Sequence, residues 1–422
     1  MNYQESENYI HSLYRKAQPG LDRIRQLLYL LGNPEKKLKF VHIAGTNGKG
    51  STAAMTASIL KEAGYKTGLF TSPFIYRFNE RMQINDRQIS DKDVIKLVAL
   101  VKEKADTMAD YPTEFEFVTG MAMVYFLEQG CDLVVLEVGM GGLIDATNAV
   151  ENTEVAVITN IGLDHTDALG DTPEKIAANK AGIIKPGCHA VIYRGSESVE
   201  KVLENACREK NVPLKKADFA GLKRNAHSLQ GQSFDCGNRK NLTLPLLGDH
   251  QLHNAAVVLS VADALKQRGW KISEEHIYAG IRKVSWPGRF DIVGYDPLFV
   301  IDGGHNPQCI EALVKNVQDY LADRRVIVLT GVLADKDYAE MFRPVMPYAQ
   351  SFVCVTPNNP RKLAASELAQ HLERAGASAI PCESIPLGVQ KALQLAGKDG
   401  VVLCFGSLYT IGDIKQALET QQ

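Results

Sequence analysis

The densest chemistry in the chain lies in Gly45-Thr46-Asn47-Gly48-Lys49-Gly50-Ser51. Glycines let backbone N–H groups wrap an anion, and a lysine and a serine stand where a β/γ-phosphate and a Mg²⁺ would need them. The spacing departs from GxxxxGK[ST], because Gly45 stands three residues before Gly48 and Gly50 separates Lys49 from Ser51. A ligand-free glycine turn is the alternative, but it gives the lysine and serine no role, so nucleotide binding is adopted. Two more carriers of chemistry follow. Glu137 ends the apolar run Leu133-Val-Val-Leu-Glu137, where phosphoryl-transfer sites place a Mg²⁺ ligand, its alternative being a structural ion pair. His165 ends Gly162-Leu-Asp-His165 and, in company with Lys49 and Glu137, is a candidate metal ligand. The His250/His253 pair has no acidic third ligand nearby and is not taken as a metal site. Gly139-Met-Gly-Gly142 does not open a dinucleotide fingerprint, since Ile144 stands where GxGxxG needs glycine.

The elements that must position these residues alternate. β-rich runs at Phe40–Ala44, Thr67–Thr71, Leu133–Val138 and Val155–Ile161 are separated by helical patterns at Thr52–Ala63, Asp91–Ala105 and Phe115–Gln129. The pattern restarts at Leu298–Ile301, Arg325–Thr330, Phe352–Val355 and Val401–Phe405, with helices at Pro307–Leu321 and Ala364–Ala375. Such alternation predicts α/β units with mainly parallel sheets. Residues 213–245 are polar and turn-rich with short alternating fragments, which predicts small antiparallel strands, and Pro287-Gly288 marks the boundary. The expected division is 1–290, a P-loop ATPase domain, and 291–422, a smaller Rossmann-like α/β domain.

Composition narrows the function classes. Of 422 residues, 45% are hydrophobic and 23% charged, which argues against disorder. Lys+Arg 47 against Asp+Glu 49 gives a formal charge of -2, so binding nucleic acid by overall charge is disfavoured. Mean hydropathy is -0.14, no apolar run approaches the roughly 20 residues of a membrane span, and the polar N-terminus lacks the apolar core of a signal peptide. Eight scattered cysteines form no CxxC pair, which fits a reducing compartment. A cytoplasmic protein without membrane or nucleic-acid partners is expected.

Further motifs join the first ones along nearly the whole chain: Thr71-Ser-Pro73, Phe78-Asn-Glu-Arg81, Phe115-Glu116, Leu136-Glu-Val-Gly-Met-Gly-Gly142 with Asp145-Ala-Thr-Asn148, Lys180-Ala-Gly-Ile-Ile184, His250-Gln251 with Asn254, Trp286-Pro-Gly-Arg-Phe290, Asp302-Gly-Gly-His-Asn306 and Asp335-Lys336. In this order they resemble the folylpolyglutamate synthase/dihydrofolate synthase family of the Mur ligase superfamily. The resemblance implies an ATP-dependent ligase that activates a folate or pteroate carboxylate as an acyl phosphate, which the amine of L-glutamate then attacks. It implies that Gly45 to Ser51 hold the phosphates, that Ser72 and Glu137 serve a first Mg²⁺ and His165 a second, and that Lys180, rather than nearby Lys185, is carbamylated. Asn254 would read adenine, Arg289 and Asp302 would serve the nucleotide, and Phe115, Asp145 and His305 would line the substrate side. A monomer acting on small molecules is implied. Other Mur-type ligases carry an extra N-terminal domain, for which a P-loop at Gly45 leaves little room, and a non-catalytic nucleotide-binding relative is the remaining reading. Two positions depart from the family's pattern: Phe74 stands where His is common, and Leu143 where Arg is common.

Overall fold

The computed structural model describes residues 1–14, 20–304, 306–334 and 338–421. They form two compact units. The first comprises Met1–Asn225, Ser233–Leu244 and Gln251–Val284, and the second comprises Ala226–Gln232, Pro245–His250 and Ser285–Gln422.

The first unit is built on an eight-stranded sheet. Its strands are β1 (Phe40–Ala44), β2 (Thr67–Phe70), β3 (Met82–Ile84), β4 (Arg87–Gln88), β5 (Leu133–Glu137), β6 (Thr153–Ile158), β7 (His189–Ile192) and β8 (Leu214–Lys216), in the order β4-β3-β2-β5-β1-β6-β7-β8. β2, β5, β1, β6, β7 and β8 are parallel, and β3 and β4 add an antiparallel edge. Helices cover both faces of such a sheet, so its central strands read as unbroken apolar runs, and every residue of β1 and β5 is buried. The chain leaves β1 toward β2 on one side and later returns to place β6 on the other. That reversal puts a crevice at the C-terminal end of β1, where open α/β sheets bind ligands.

Local signals start the helices that wall this edge. Gly48, at φ 85°, turns β1 into the Lys49–Glu62 helix, three residues before the hydrophobic pattern alone predicts its start. Thr113 and Glu116 form a capping box at the head of the Glu114–Glu128 helix, and Ser90 caps Asp91–Ala105. Phe40, Phe70, Phe78, Phe117 and Phe126 pack into one core, and a second core beneath β6 and β7 gathers Ile158, Ile183, Ile192 and Leu203.

The strands expected within 213–245 are β9 (Leu222–Ser228), β10 (Gly231–Cys236) and β11 (Arg239–Leu244), in the order β11-β10-β9. Their tight connections are of the kind only antiparallel neighbours permit. The sheet of the second unit orders β12 (Asp291–Tyr295), β13 (Leu298–Ile301), β14 (Val326–Thr330), β15 (Ala349–Cys354), β16 (Ala379–Pro381) and β17 (Val401–Phe405) as β12-β13-β17-β14-β15-β16. It is parallel except for β12, which pairs antiparallel with β13. Among the described residues no helix is long and apolar enough to cross a membrane, and the cysteines form no disulfide.

Candidate active site

The phosphate loop closes on its own strand end. Lys49 Nζ donates to the carbonyls of Gly45 and Thr46, both at 3.1 Å. Thr46 N–H donates to Asn160 O at 2.7 Å, and Thr159 Oγ1 donates to Asn47 O at 2.8 Å, so the loop following β6 forms its floor. A Cβ at Gly45 would overlap Thr159 Oγ1, and one at Gly48 would overlap Asn254 Oδ1; the backbone approaches so closely that only glycine fits. Among the described residues no side chain caps the Lys49–Glu62 helix, whose first N–H groups and dipole thus face the loop. Ser51 is buried and accepts from Gln251 Nε2 at 3.2 Å, while Asn254 Nδ2 donates to Gln251 Oε1 at 3.1 Å.

Lys180 comes to the same loop from the end of the Pro173–Lys180 helix. Its side chain is buried, and Nζ donates to Gly45 O at 2.8 Å, the carbonyl that also takes Lys49. Burial, and then the positive charge of Lys49, lower the Lys180 pKa to about 7, with Asp164 and Asp145 acting in opposition. A substantial fraction of this amine is therefore neutral near pH 7. Lys185 lies elsewhere, donating to Asn148 O at 3.2 Å.

Glu137 ends β5 as a buried carboxylate, and the Ser72 N–H donates to its Oε2 at 3.2 Å. The loop carrying Ser72 is shaped by Glu80, whose carboxylate accepts the N–H groups of Ile75, Tyr76 and Arg77 at 2.8–2.9 Å, which gives Phe78-Asn-Glu-Arg81 a physical role. Phe74 packs between the Arg81 guanidinium, 5.3 Å from its ring centroid, and Phe78. His165 is exposed, has φ 49°, and begins the short Thr166–Leu169 helix with Asp164 beside it. Among the described residues no three His, Cys, Asp or Glu side chains form a metal-binding cluster. The oxygen donors fit Mg²⁺ nonetheless: Glu137 is a buried carboxylate, and Ser51 Oγ receives the Gln251 N–H on one lone pair with a second to offer.

Of the residues expected on the substrate side, Phe115 has its ring against Phe70 at 6.0 Å and over Gly139, where a Cβ would stand 2.6 Å from its Cζ. Asp145 is turned inward. Its carboxylate accepts Met140 N–H at 2.9 Å and both the N–H and the hydroxyl of Thr147, and burial raises its pKa.

In the second unit, Asp302 Oδ2 accepts Phe290 N–H at 2.8 Å and Oδ1 accepts Gly304 N–H at 2.7 Å; burial raises its pKa against the pull of Arg289. The guanidinium of Arg289 lies so close over Gly303 that a Cβ there would overlap it. His305 and the Asp335-Lys336 pair lie outside the described residues.

Gln251, named in the sequence only as part of the His250-Gln251 motif, ties Ser51 to Asn254. Two further residues were not singled out in the sequence. Thr159 floors the loop without any local signal. His42, the one ionisable residue of β1, was legible as an exception within a buried strand.

Two family models match: the Mur ligase middle domain over residues 43–262 and the Mur ligase glutamate ligase domain over 288–408. A dihydrofolate synthase/folylpolyglutamate synthase of Bacillus subtilis is 36% identical over 99% of each chain. The structure of E. coli FolC in complex with DHPP and ADP superposes with a TM-score of 0.87 at 30% identity, covering 100% of this chain and 98% of that one. A Yersinia pestis bifunctional folylpolyglutamate synthase/dihydrofolate synthase complexed with AMPPNP and a Mn ion gives 0.85 at 30% identity, covering 99% and 98%. With its phosphate loop, buried lysine and strand-end carboxylate in the matched middle domain, the chain belongs to the folylpolyglutamate synthase/dihydrofolate synthase family of the Mur ligases and is an ATP-dependent amino-acid ligase.

Proposed function

We propose that this enzyme joins the amine of L-glutamate to the carboxylate of a folate-type acceptor, dihydropteroate or a tetrahydrofolate, at the expense of ATP. The observation that carries the reading is the convergence of Lys49 and Lys180 on one carbonyl, Gly45 O, at the strand edge that also ends in buried Glu137. An acceptor carboxylate oxygen attacks the γ-phosphorus as its bond to ADP breaks. The amine nitrogen then attacks the acyl carbon, phosphate leaves, and the nitrogen loses a proton. Little covalent chemistry falls to the protein; positioning and charge neutralisation do the work.

Residues Gly45 to Ser51 hold the phosphates in this scheme, with Lys49 against developing negative charge. Ser51, Ser72 and Glu137 would hold one Mg²⁺ and His165 a second, supplying charge neutralisation on phosphate oxygens. The neutral amine of Lys180 is the form that adds CO₂, losing a proton and becoming an anionic carbamate able to face a cation. Asn254, Arg289 and Asp302 serve the nucleotide, and Phe115, Asp145 and His305 the acceptor. A cytoplasmic monomer, with its labour divided between 1–290 and 291–422, completes the reading.

The test is incorporation of labelled glutamate with MgATP, run in parallel on 7,8-dihydropteroate and tetrahydrofolate. Product with both acceptors defines a bifunctional enzyme, and product with one names its step. Silence with both while ATP binds would refute the reading in favour of a non-catalytic relative.

A further inference from the structure

Thr147 links a buried histidine to the loop that leaves the acid-bearing strand. Its hydroxyl donates to Asp145 Oδ1, a carboxylate oxygen that can only accept. Thr147 has one proton and has spent it there. At the 2.9 Å contact between Thr147 Oγ1 and His42 Nε2, the threonine therefore accepts and the imidazole donates. His42 accordingly carries a proton on Nε2. Its Nδ1 is buried without a hydrogen-bond partner among the described residues, and burial together with the charge of Lys185 lowers its pKa to about 3, which leaves the ring neutral as the Nε2–H tautomer.

The other end of the chain of bonds reaches the active-site loop. Asp145 Oδ2 takes the Met140 N–H at 2.9 Å, three residues beyond Glu137. Gly139 is clamped between the Phe115 ring and this same oxygen, which would stand 3.1 Å from a Cβ there. Gly142 lies against the backbone of Lys180, with 2.9 Å from a Cβ to its Cα. One row of donors thus sets where the 139–142 backbone runs between Glu137, Phe115 and Lys180.

We propose that His42 and Thr147 are positioning residues for the acceptor side of the ligase reaction, acting through Asp145 on the Gly139–Gly142 loop. Neither touches the reacting atoms. The inference rests on the folate-ligase reading above. A histidine suits the task because an N–H at the far end of a rigid ring reaches from the middle of β1 to the turn that covers it, where an aliphatic residue would leave the Thr147 oxygen without a donor.

The test compares Thr147→Val and His42→Leu, which break the row, with Thr147→Ser and His42→Gln, whose hydroxyl and amide N–H restore it. Steady-state glutamate ligation is measured while acceptor and ATP are varied separately, and thermal midpoints are recorded. The expected result is a 10- to 100-fold loss of kcat/KM for the acceptor in the breaking variants, in line with the roughly 10²-fold cost of an ångström's misplacement. KM for ATP should stay within about twofold, and the restoring variants should recover most of the loss. A double variant no worse than either single one would support a shared row. Wild-type acceptor kinetics in Thr147→Val, or equal losses for ATP and acceptor with no recovery in His42→Gln, would overturn the proposal. Should Thr147→Val not fold, the His42→Leu and His42→Gln comparison decides by the same criteria. Wild-type enzyme that forms no product with any folate-type acceptor would sink the underlying reading as well, which separates the two failures.

Discussion

Replacing Lys180 by methionine tests the electrostatics of the site most directly. The amine ionises near pH 7 in the folded protein against an ordinary 10.5. The sign follows from proton binding. Between pH 7 and 10.5 the unfolded chain holds the Lys180 proton and the folded chain does not, so stability rises with pH across that window. The penalty is complete below the folded value and vanishes above 10.5. At pH 7.5 it amounts to roughly 4 kcal/mol and at pH 9.5 to about 1.4 kcal/mol. The side chain is only 3% exposed, so solvent screening takes little from these figures. Lys180→Met carries no such penalty, but it gives up the 2.8 Å bond to Gly45 O, worth about 1 kcal/mol at any pH. In CO₂-free buffer the methionine variant should therefore be the more stable protein at pH 7.5, with its advantage shrinking by roughly 2.5 kcal/mol at pH 9.5.

Thermal unfolding of the two proteins at both pH values measures this, and the gap in midpoints should narrow by roughly 3 °C. Titrating groups that do not interact with Lys180 are common to both chains and cancel in the difference. Bicarbonate should raise the wild-type midpoint at pH 7.5 and leave the variant unmoved, because a carbamate exchanges a buried cation for an anion facing Lys49. The variant should nevertheless lose ligation, with partial recovery in Lys180→Ala when a small carboxylate is supplied. A stability difference that stays constant from pH 7.5 to 9.5 would refute the assignment of a depressed Lys180.

Lys49→Ala should abolish ligation with the circular dichroism spectrum unchanged; near-normal turnover would remove Lys49 from the mechanism. Gly48→Ala forces a Cβ onto Asn254 Oδ1 at a left-handed position, a strain of about 1–3 kcal/mol that should appear as a raised KM for ATP in initial-rate measurements. Glu137→Gln keeps the acceptor for the Ser72 N–H but loses the charge, so the Mg²⁺ concentration giving half-maximal rate should rise at least tenfold. A Mg²⁺ titration that overlays wild type would exclude Glu137 as a ligand.

What the sequence disclosed and what it concealed divide along a physical line. β1 and β5 were legible because strands buried on both faces are predominantly apolar, and the phosphate loop because close backbone approach demands glycine at Gly45 and Gly48. Both are local requirements written in neighbouring residues. The approach of Lys180 to Gly45 is not local: it joins residues 135 apart in sequence, and only packing of the Pro173–Lys180 helix brings them together. Without a likeness to known sequences, that lysine reads as a solvated helix residue. Asp145 shows the converse limit. Its position in a motif points toward substrate, but nothing local reveals that its oxygens also accept from Met140 and Thr147 and so hold the backbone of the following loop.

The two departures from the family pattern have different physical weights. Phe74 is integrated, its ring held between Arg81 and Phe78 and against the core of the first unit, so a histidine there would exchange an apolar packing partner for a polar one. Leu143 is 54% exposed, with Ile144 beside it at 41%. An exposed leucine contributes little to folding, and a cation could occupy that position at small cost. Its absence removes one charge from the rim of the Gly139–Gly142 loop, where each carboxylate added to an acceptor's glutamate tail would otherwise gain roughly 1 kcal/mol or less in screened attraction. Leu143→Arg should therefore lower KM for acceptors with several glutamates more than for dihydropteroate, and equal KM changes across that series would place the anionic tail elsewhere.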